Sequence, residues 1–168
     1  MSVIDQLLAN NRRMANELGV DDLPVRPALG VAIVSCMDSR ILVTEMLGIK
    51  RGDAHIVRNA GACVNEETMR SLFISTWRMQ TRDVLIVGHT DCGLHGMEES
   101  AFISEVQGAM HSTMHPGSLN SFQDLDGHIA AQVMKARAYP LLPEGVTVRG
   151  FVYDVRTRLM REIDVPQS

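Results

Sequence analysis

Three short runs constrain this chain more than anything else in it: VAIVS at 31–35, AHIVR at 54–58 and DVLIVG at 83–88. Each is apolar and rich in β-branched residues, the composition of a strand buried on both faces. Between and after them lie segments of helical pattern, at 39–47 (ended by Gly48), 66–80, 97–110 and 124–138. Asn65 stands where the second of these needs an N-cap, with acidic residues in the turn that follows. A fourth strand is expected at 146–155, with RLMREI as a short extension after a turn, and HSTMHPGSLNSF is loop-like. Strands alternating with helices predict an α/β fold with a mainly parallel central β-sheet flanked by helices. The N-terminal pattern at 3–18 is an amphipathic helix with Ser2 and Asp5 as its capping start. It is followed by the Pro-containing, extended segment DDLPVRPALG. The expected organisation is one domain over 1–168, with residues 2–20 as a helical arm able to reach a neighbouring subunit.

Charge and composition narrow the function. The net charge is −4 and the sixteen basic residues are scattered, which argues against a nucleic-acid surface. No apolar stretch is long enough to span a membrane. MSVIDQLLANNRRM lacks the basic-then-apolar order of an export signal, so a cytoplasmic location is expected. Three cysteines are an odd number for a disulfide framework, and metal binding or plain burial explains them better.

Two of the three runs lead directly into metal-ligand chemistry. VAIVS continues into Cys36-Met37-Asp38-Ser39-Arg40, and DVLIVG into His89-Thr90-Asp91-Cys92-Gly93. In open α/β sheets the binding crevice lies beyond the carboxyl ends of the strands, so both segments can reach one point. Two thiolates and an imidazole suit Zn²⁺ better than an oxygen-seeking ion. Three protein ligands, Cys36, His89 and Cys92, leave a fourth tetrahedral position open, as in a catalytic zinc site. Each motif alone is weak; their joint occurrence after buried strands is not.

The segments VSCMDSR, VRNAG and VGHTDCG, in that order, resemble the three signature segments of the β-carbonic anhydrases. The similarity runs from the N-terminal helix through GFVYDV, and the length resembles the compact prokaryotic members. The resemblance implies one Zn²⁺ per chain on Cys36, His89 and Cys92, with Asp38 and Arg40 as the catalytic dyad. It implies reversible hydration of CO₂ to bicarbonate and a proton, and a substrate-binding backbone N–H at Gly93. It also implies a homodimer or larger homo-oligomer, with the N-terminal helix packed on the partner.

The chemistry agrees with those roles. Zinc lowers the pKa of a bound water toward neutrality. Two thiolates cancel its charge, so the lowering is weaker than with three histidines and another group must orient the nucleophile. Asp38 can accept the nucleophile's proton in a hydrogen bond, and Arg40 can hold Asp38 by a bidentate pair. Freed, Asp38 would become a fourth metal ligand, so it counts as a conditional one. Gly61 in the Asn59-Ala60-Gly61 turn permits close approach of the backbone to the crevice.

Other candidates carry less. Cys63 reads as a small buried residue. His111 and His115 sit among Pro and Gly, which argues against a second metal site. His95 reads as a solvent-facing structural residue rather than a proton shuttle, and His55 and His128 carry no motif. Met46, Met69 and Met79 read as core fillers and Trp77 as a core anchor. Two competing functions remain: hydrolysis of COS or CS₂ on the same scaffold, and a non-catalytic zinc-binding protein. The Asp38–Arg40 pair disfavours the latter, because a structural site has no need of it.

Overall fold

Each of the three apolar runs forms a strand: β1 is Val31–Cys36, β2 is Ala54–Asn59 and β3 is Asp83–His89. The computed structural model describes residues 2–19 and 21–166; residue 20, the end of the expected arm, and the chain termini lie outside the described residues. β4 is Thr147–Tyr153 and β5 is Met160–Glu162. The five form one sheet in the order β2-β1-β3-β4-β5, with the first four parallel and β5 antiparallel to β4. β1 is buried from Ala32 to Cys36 because it runs between β2 and β3. β2 departs from the expectation of full burial: as the sheet edge it leaves Ile56 and Arg58 exposed.

The helices are α1 (Val3–Leu18), α2 (Val43–Leu47), α3 (Glu66–Trp77), α4 (Glu99–Met110) and α5 (Leu125–Arg137). Ser2 and Asp5 form a reciprocal capping box at the start of α1. Asn65 caps α3 by accepting the N–H of Thr68 at 2.9 Å. α3 ends three residues before the predicted boundary, because Gln80 takes a left-handed conformation (φ 61°) after the last turn. α2 begins four residues late. The Asp38 carboxylate accepts the Arg40 N–H at 2.9 Å, and the Asp38 carbonyl accepts that of Ile41 at 3.0 Å. That turn competes with a helical start.

α3 and α5 cover one face of the sheet, where Leu72, Ile129 and Val133 meet Ala32, Val34, Val84 and Ile86. Burying each such branched side chain contributes roughly 1.5–3 kcal/mol. The other face packs Ile33, Val87 and Tyr153 against Ile41, Val43 and Phe122. α1 buries none of its residues, and Ile4, Leu7 and Leu8 stay exposed. Trp77 is a correction: it is exposed, and its indole N–H donates to the Leu141 carbonyl at 2.8 Å. Met69 is buried as expected, whereas Met79 lies beyond the end of α3. Among the described residues no helix is long and apolar enough to cross a membrane.

Candidate metal centre

With the order β2-β1-β3-β4, the chain turns one way from β1 and the other way from β3. The crevice of such a sheet opens between those two strands, beyond their carboxyl ends. Cys36 is the last residue of β1 and His89 the last of β3. Cys92 returns to the same point through a tight turn in which Asp91 is left-handed (φ 58°), a conformation that Asp tolerates better than most residues. Thr90 fixes this turn to β4: its N–H donates to the Tyr153 carbonyl at 3.0 Å and its hydroxyl accepts from Val155 N at 3.1 Å.

The result is a buried cluster in which one donor atom each from Cys36, His89 and Cys92 lies within 4.8 Å of the others. It is the only such group of three found among the described residues, so neither Cys63 nor the His111–His115 pair joins it. His89 Nδ1 is 2.9 Å from the Thr90 carbonyl, which can only accept, so Nδ1 carries the hydrogen. Nε2 is then a bare lone pair, fully buried and without a hydrogen-bond partner. An orphaned acceptor of this kind costs free energy unless something occupies it. The thiols make the same case. Hydrogen bonding from Cys92 pulls Cys36 down to about 3 against the effect of burial. Cys92 is pushed up, first by that shared bond and then by burial. Zinc binding to such a pair would displace the protons of both thiols. Burial alone would lower the pKa of His89, but the neighbouring Cys36 raises it. Two soft sulphurs and one imidazole nitrogen fit Zn²⁺.

Asp38 flanks the cluster, with Oδ2 3.9 Å from His89 Nε2. Arg40 grips it bidentately, Nε to Oδ1 at 2.9 Å and Nη2 to Oδ2 at 2.7 Å. This pairing holds the Asp38 carboxyl well below the usual carboxylate range. The same guanidinium donates to Asp91 Oδ2 at 2.6 Å and to the Asp91 carbonyl at 2.8 Å. Sequence reasoning did not find Asp91 as a partner, because a contact between residues 51 positions apart leaves no local signal. Gly93 lies exposed beside Cys92.

The VRNAG turn also reaches the cluster: the Gly61 main chain contributes to lowering the pKa of Cys36. Gly61 has φ 75°, and a Cβ there would stand 2.9 Å from Leu94 Cδ1. Asn59 locks the turn by accepting from Cys63 N at 2.8 Å and donating to its carbonyl at 2.7 Å. Cys63 is buried, and that burial pushes its thiol pKa up. His95 and His128 sandwich Phe122, with ring centroids 5.5 and 4.2 Å away. His128 Nε2 also donates to the Gly61 carbonyl at 2.9 Å, a structural role for which the sequence carried no motif.

The carbonic anhydrase family model matches residues 31–159, which include every residue of the cluster and the Asp38–Arg40–Asp91 network. β-Carbonic anhydrase 1 of Mycobacterium tuberculosis is 36% identical over 165 residues, covering 97% of this chain and 99% of that protein. A carbon disulfide hydrolase of an Acidianus species is 34% identical over 155 residues, covering 77% and 75%. Among solved structures, the carbonic anhydrase of Streptococcus mutans superposes with a TM-score of 0.92 at 34% identity, covering 98% of this chain and 99% of that one. Fold, donor set and sequence therefore agree, and the chain belongs to the β-carbonic anhydrase family.

Proposed function

We propose that this protein is a zinc-dependent carbonic anhydrase that catalyses the reversible hydration of CO₂ to bicarbonate and a proton. The observation that carries the reading is the buried Cys36–His89–Cys92 cluster at the sheet's switch point, its bare Nε2 beside a carboxylate fixed by arginine. In this reading the three residues hold one Zn²⁺ per chain. Zinc so held supplies the Lewis acidity that makes water nucleophilic near neutral pH.

The chain's own residues do the rest. The Thr90 carbonyl fixes the His89 tautomer, which leaves Nε2 as the nitrogen that would hold the metal. Asp38, acceptor-only while ionised, takes a hydrogen bond from the attacking water and aims a lone pair at the CO₂ carbon. Arg40 keeps Asp38 ionised and holds it in that direction. Were Arg40 withdrawn, the Asp38 carboxylate, 3.9 Å from His89 Nε2, would be free to bind the metal itself. The N–H of Gly93 binds a substrate oxygen where negative charge develops.

The reading includes a single domain acting as a homodimer or larger homo-oligomer. α1 supports that, since Ile4, Leu7 and Leu8 form an apolar face that none of the described residues of the same subunit covers. It also includes a reducing, cytoplasmic setting, in keeping with three free, buried cysteines.

Stopped-flow CO₂ hydration by the purified, zinc-loaded protein tests the proposal, with COS and CS₂ hydrolysis measured in parallel. Rapid hydration of CO₂ with slow turnover of the sulphur substrates is expected. Preferential hydrolysis of CS₂ or COS would move the chain to the activity for which its Acidianus relative is named. No turnover of any of the three would leave a zinc-binding protein without this chemistry.

A further inference from the structure

We propose that Arg58 is a positioning residue of the metal centre, fastening the main chain on both sides of Met37 so that Cys36 and Asp38 face one point. The inference rests on the zinc reading given above. Pairing of β1 with β3 ends at Ser35–Val87, one residue before the thiol. On the other side the pairing with β2 reaches Cys36–Asn59, and Met37 N donates one further main-chain bond to the Asn59 carbonyl at 2.9 Å. The segment that must present a ligand and a carboxylate two residues apart therefore hangs from the sheet's edge strand.

Arg58 supplies the missing restraint. It lies on β2 in register with Ser35, and side chains in register on neighbouring strands project from the same face. Its Nε donates to the Cys36 carbonyl at 2.9 Å and its Nη2 to the Asp38 carbonyl at 2.7 Å. A guanidinium is planar and its donors are fixed relative to one another, so both carbonyls are set by one rigid fork. The Asp38 carbonyl is also tied by Ile41 N, which joins the fork to the turn carrying Arg40. The arginine touches neither the sulphur nor the carboxylate. It acts through the two peptide groups between them, and displacing a reacting group by about 1 Å can cost roughly a hundredfold in rate.

The experiment compares wild type with Arg58→Met, which keeps bulk but removes the donors, and Arg58→Lys, which keeps the charge but not the fork. Three readouts are taken: metal per chain, the visible spectrum of the cobalt-substituted protein, and kcat and KM for CO₂. Both variants should hold one metal per chain, because the ligands are untouched. In both, the cobalt spectrum should shift, and kcat should fall on the order of tenfold or more with KM within about twofold. An unaltered spectrum and kcat in Arg58→Met would overturn the proposal. Full recovery by Arg58→Lys would overturn it too, by assigning the effect to charge alone. If Arg58→Met fails to fold, Arg58→Lys decides on the same readouts. The cobalt spectrum does not depend on which substrate is turned over. A wild-type protein inactive toward CO₂ would therefore refute the proposed function while leaving the spectral test of Arg58 intact.

Discussion

Gly88→Ala is the substitution whose cost the structure states most directly. Gly88 sits on β3 immediately before His89, under α5. A Cβ there would lie 2.6 Å from Ile129 Cδ1, 2.7 Å from Ile129 Cγ1 and 3.2 Å from Leu125 Cδ1. Ile129 is fully buried and also packs near Gly150 on the adjacent strand, so it has no free direction in which to retreat. Overpacking of this kind costs about 1–3 kcal/mol. For a chain of this length each kcal/mol lowers Tm by roughly 2–4 °C, so a fall of roughly 2–12 °C is expected. Ile129→Ala alone should cost about 2–5 kcal/mol through its cavity. The double variant puts the new methyl into that cavity and should lose less than the sum of the singles, by at least about 0.5 kcal/mol. Thermal unfolding at fixed protein and zinc concentration measures all three, since bound metal itself raises stability. Strict additivity, or a Gly88→Ala protein as stable as wild type, would refute the packing argument.

Arg40→Ala should keep zinc and lose most CO₂ hydration, with the freed Asp38 carboxylate on the metal in a crystal structure; near-normal activity would contradict the gate. Asp91→Ala should change stability by less than about 1 kcal/mol, because its pair with Arg40 is largely solvent-exposed, yet lower kcat measurably by loosening Arg40. Glu99 accepts the N–H groups of Ser121 at 2.6 Å and Leu119 at 3.0 Å, and those bonds hold its pKa below the ordinary glutamate value. A lowered folded pKa means this tether is fully present above the unfolded value and lost as pH falls through the folded one. Amide protection at 119 and 121 should therefore drop on acidification and be low at neutral pH in Glu99→Gln; protection independent of both would disprove the tether.

The strands and the donor set were legible because both are local signals. Apolar, β-branched runs specify β1 and β3, and the candidate ligands stand at or just past the strand ends, beside the crevice of the sheet. The capping box of α1 and the Asn65 cap were legible for the same reason. What escaped was tertiary. The short α2 reflects a carboxylate competing for backbone N–H groups, which helical periodicity does not register. Trp77 looked like a core anchor from its size, but its indole bonds a carbonyl on a distant loop. Asp91 and Arg58 sit inside recognised segments, yet their partners lie on other strands and loops, and only the folded register names them. The edge position of β2 follows from strand order, which no single strand encodes.

The central claim is that two sulphurs and one imidazole nitrogen of this chain hold a single zinc. X-ray absorption at the zinc edge of the loaded protein reads that directly. The account predicts two sulphur neighbours at about 2.3 Å and nitrogen or oxygen neighbours at about 2.0–2.1 Å, with one metal per chain. A shell of nitrogen and oxygen alone, or one with three or more sulphurs, would contradict the assignment to Cys36, His89 and Cys92.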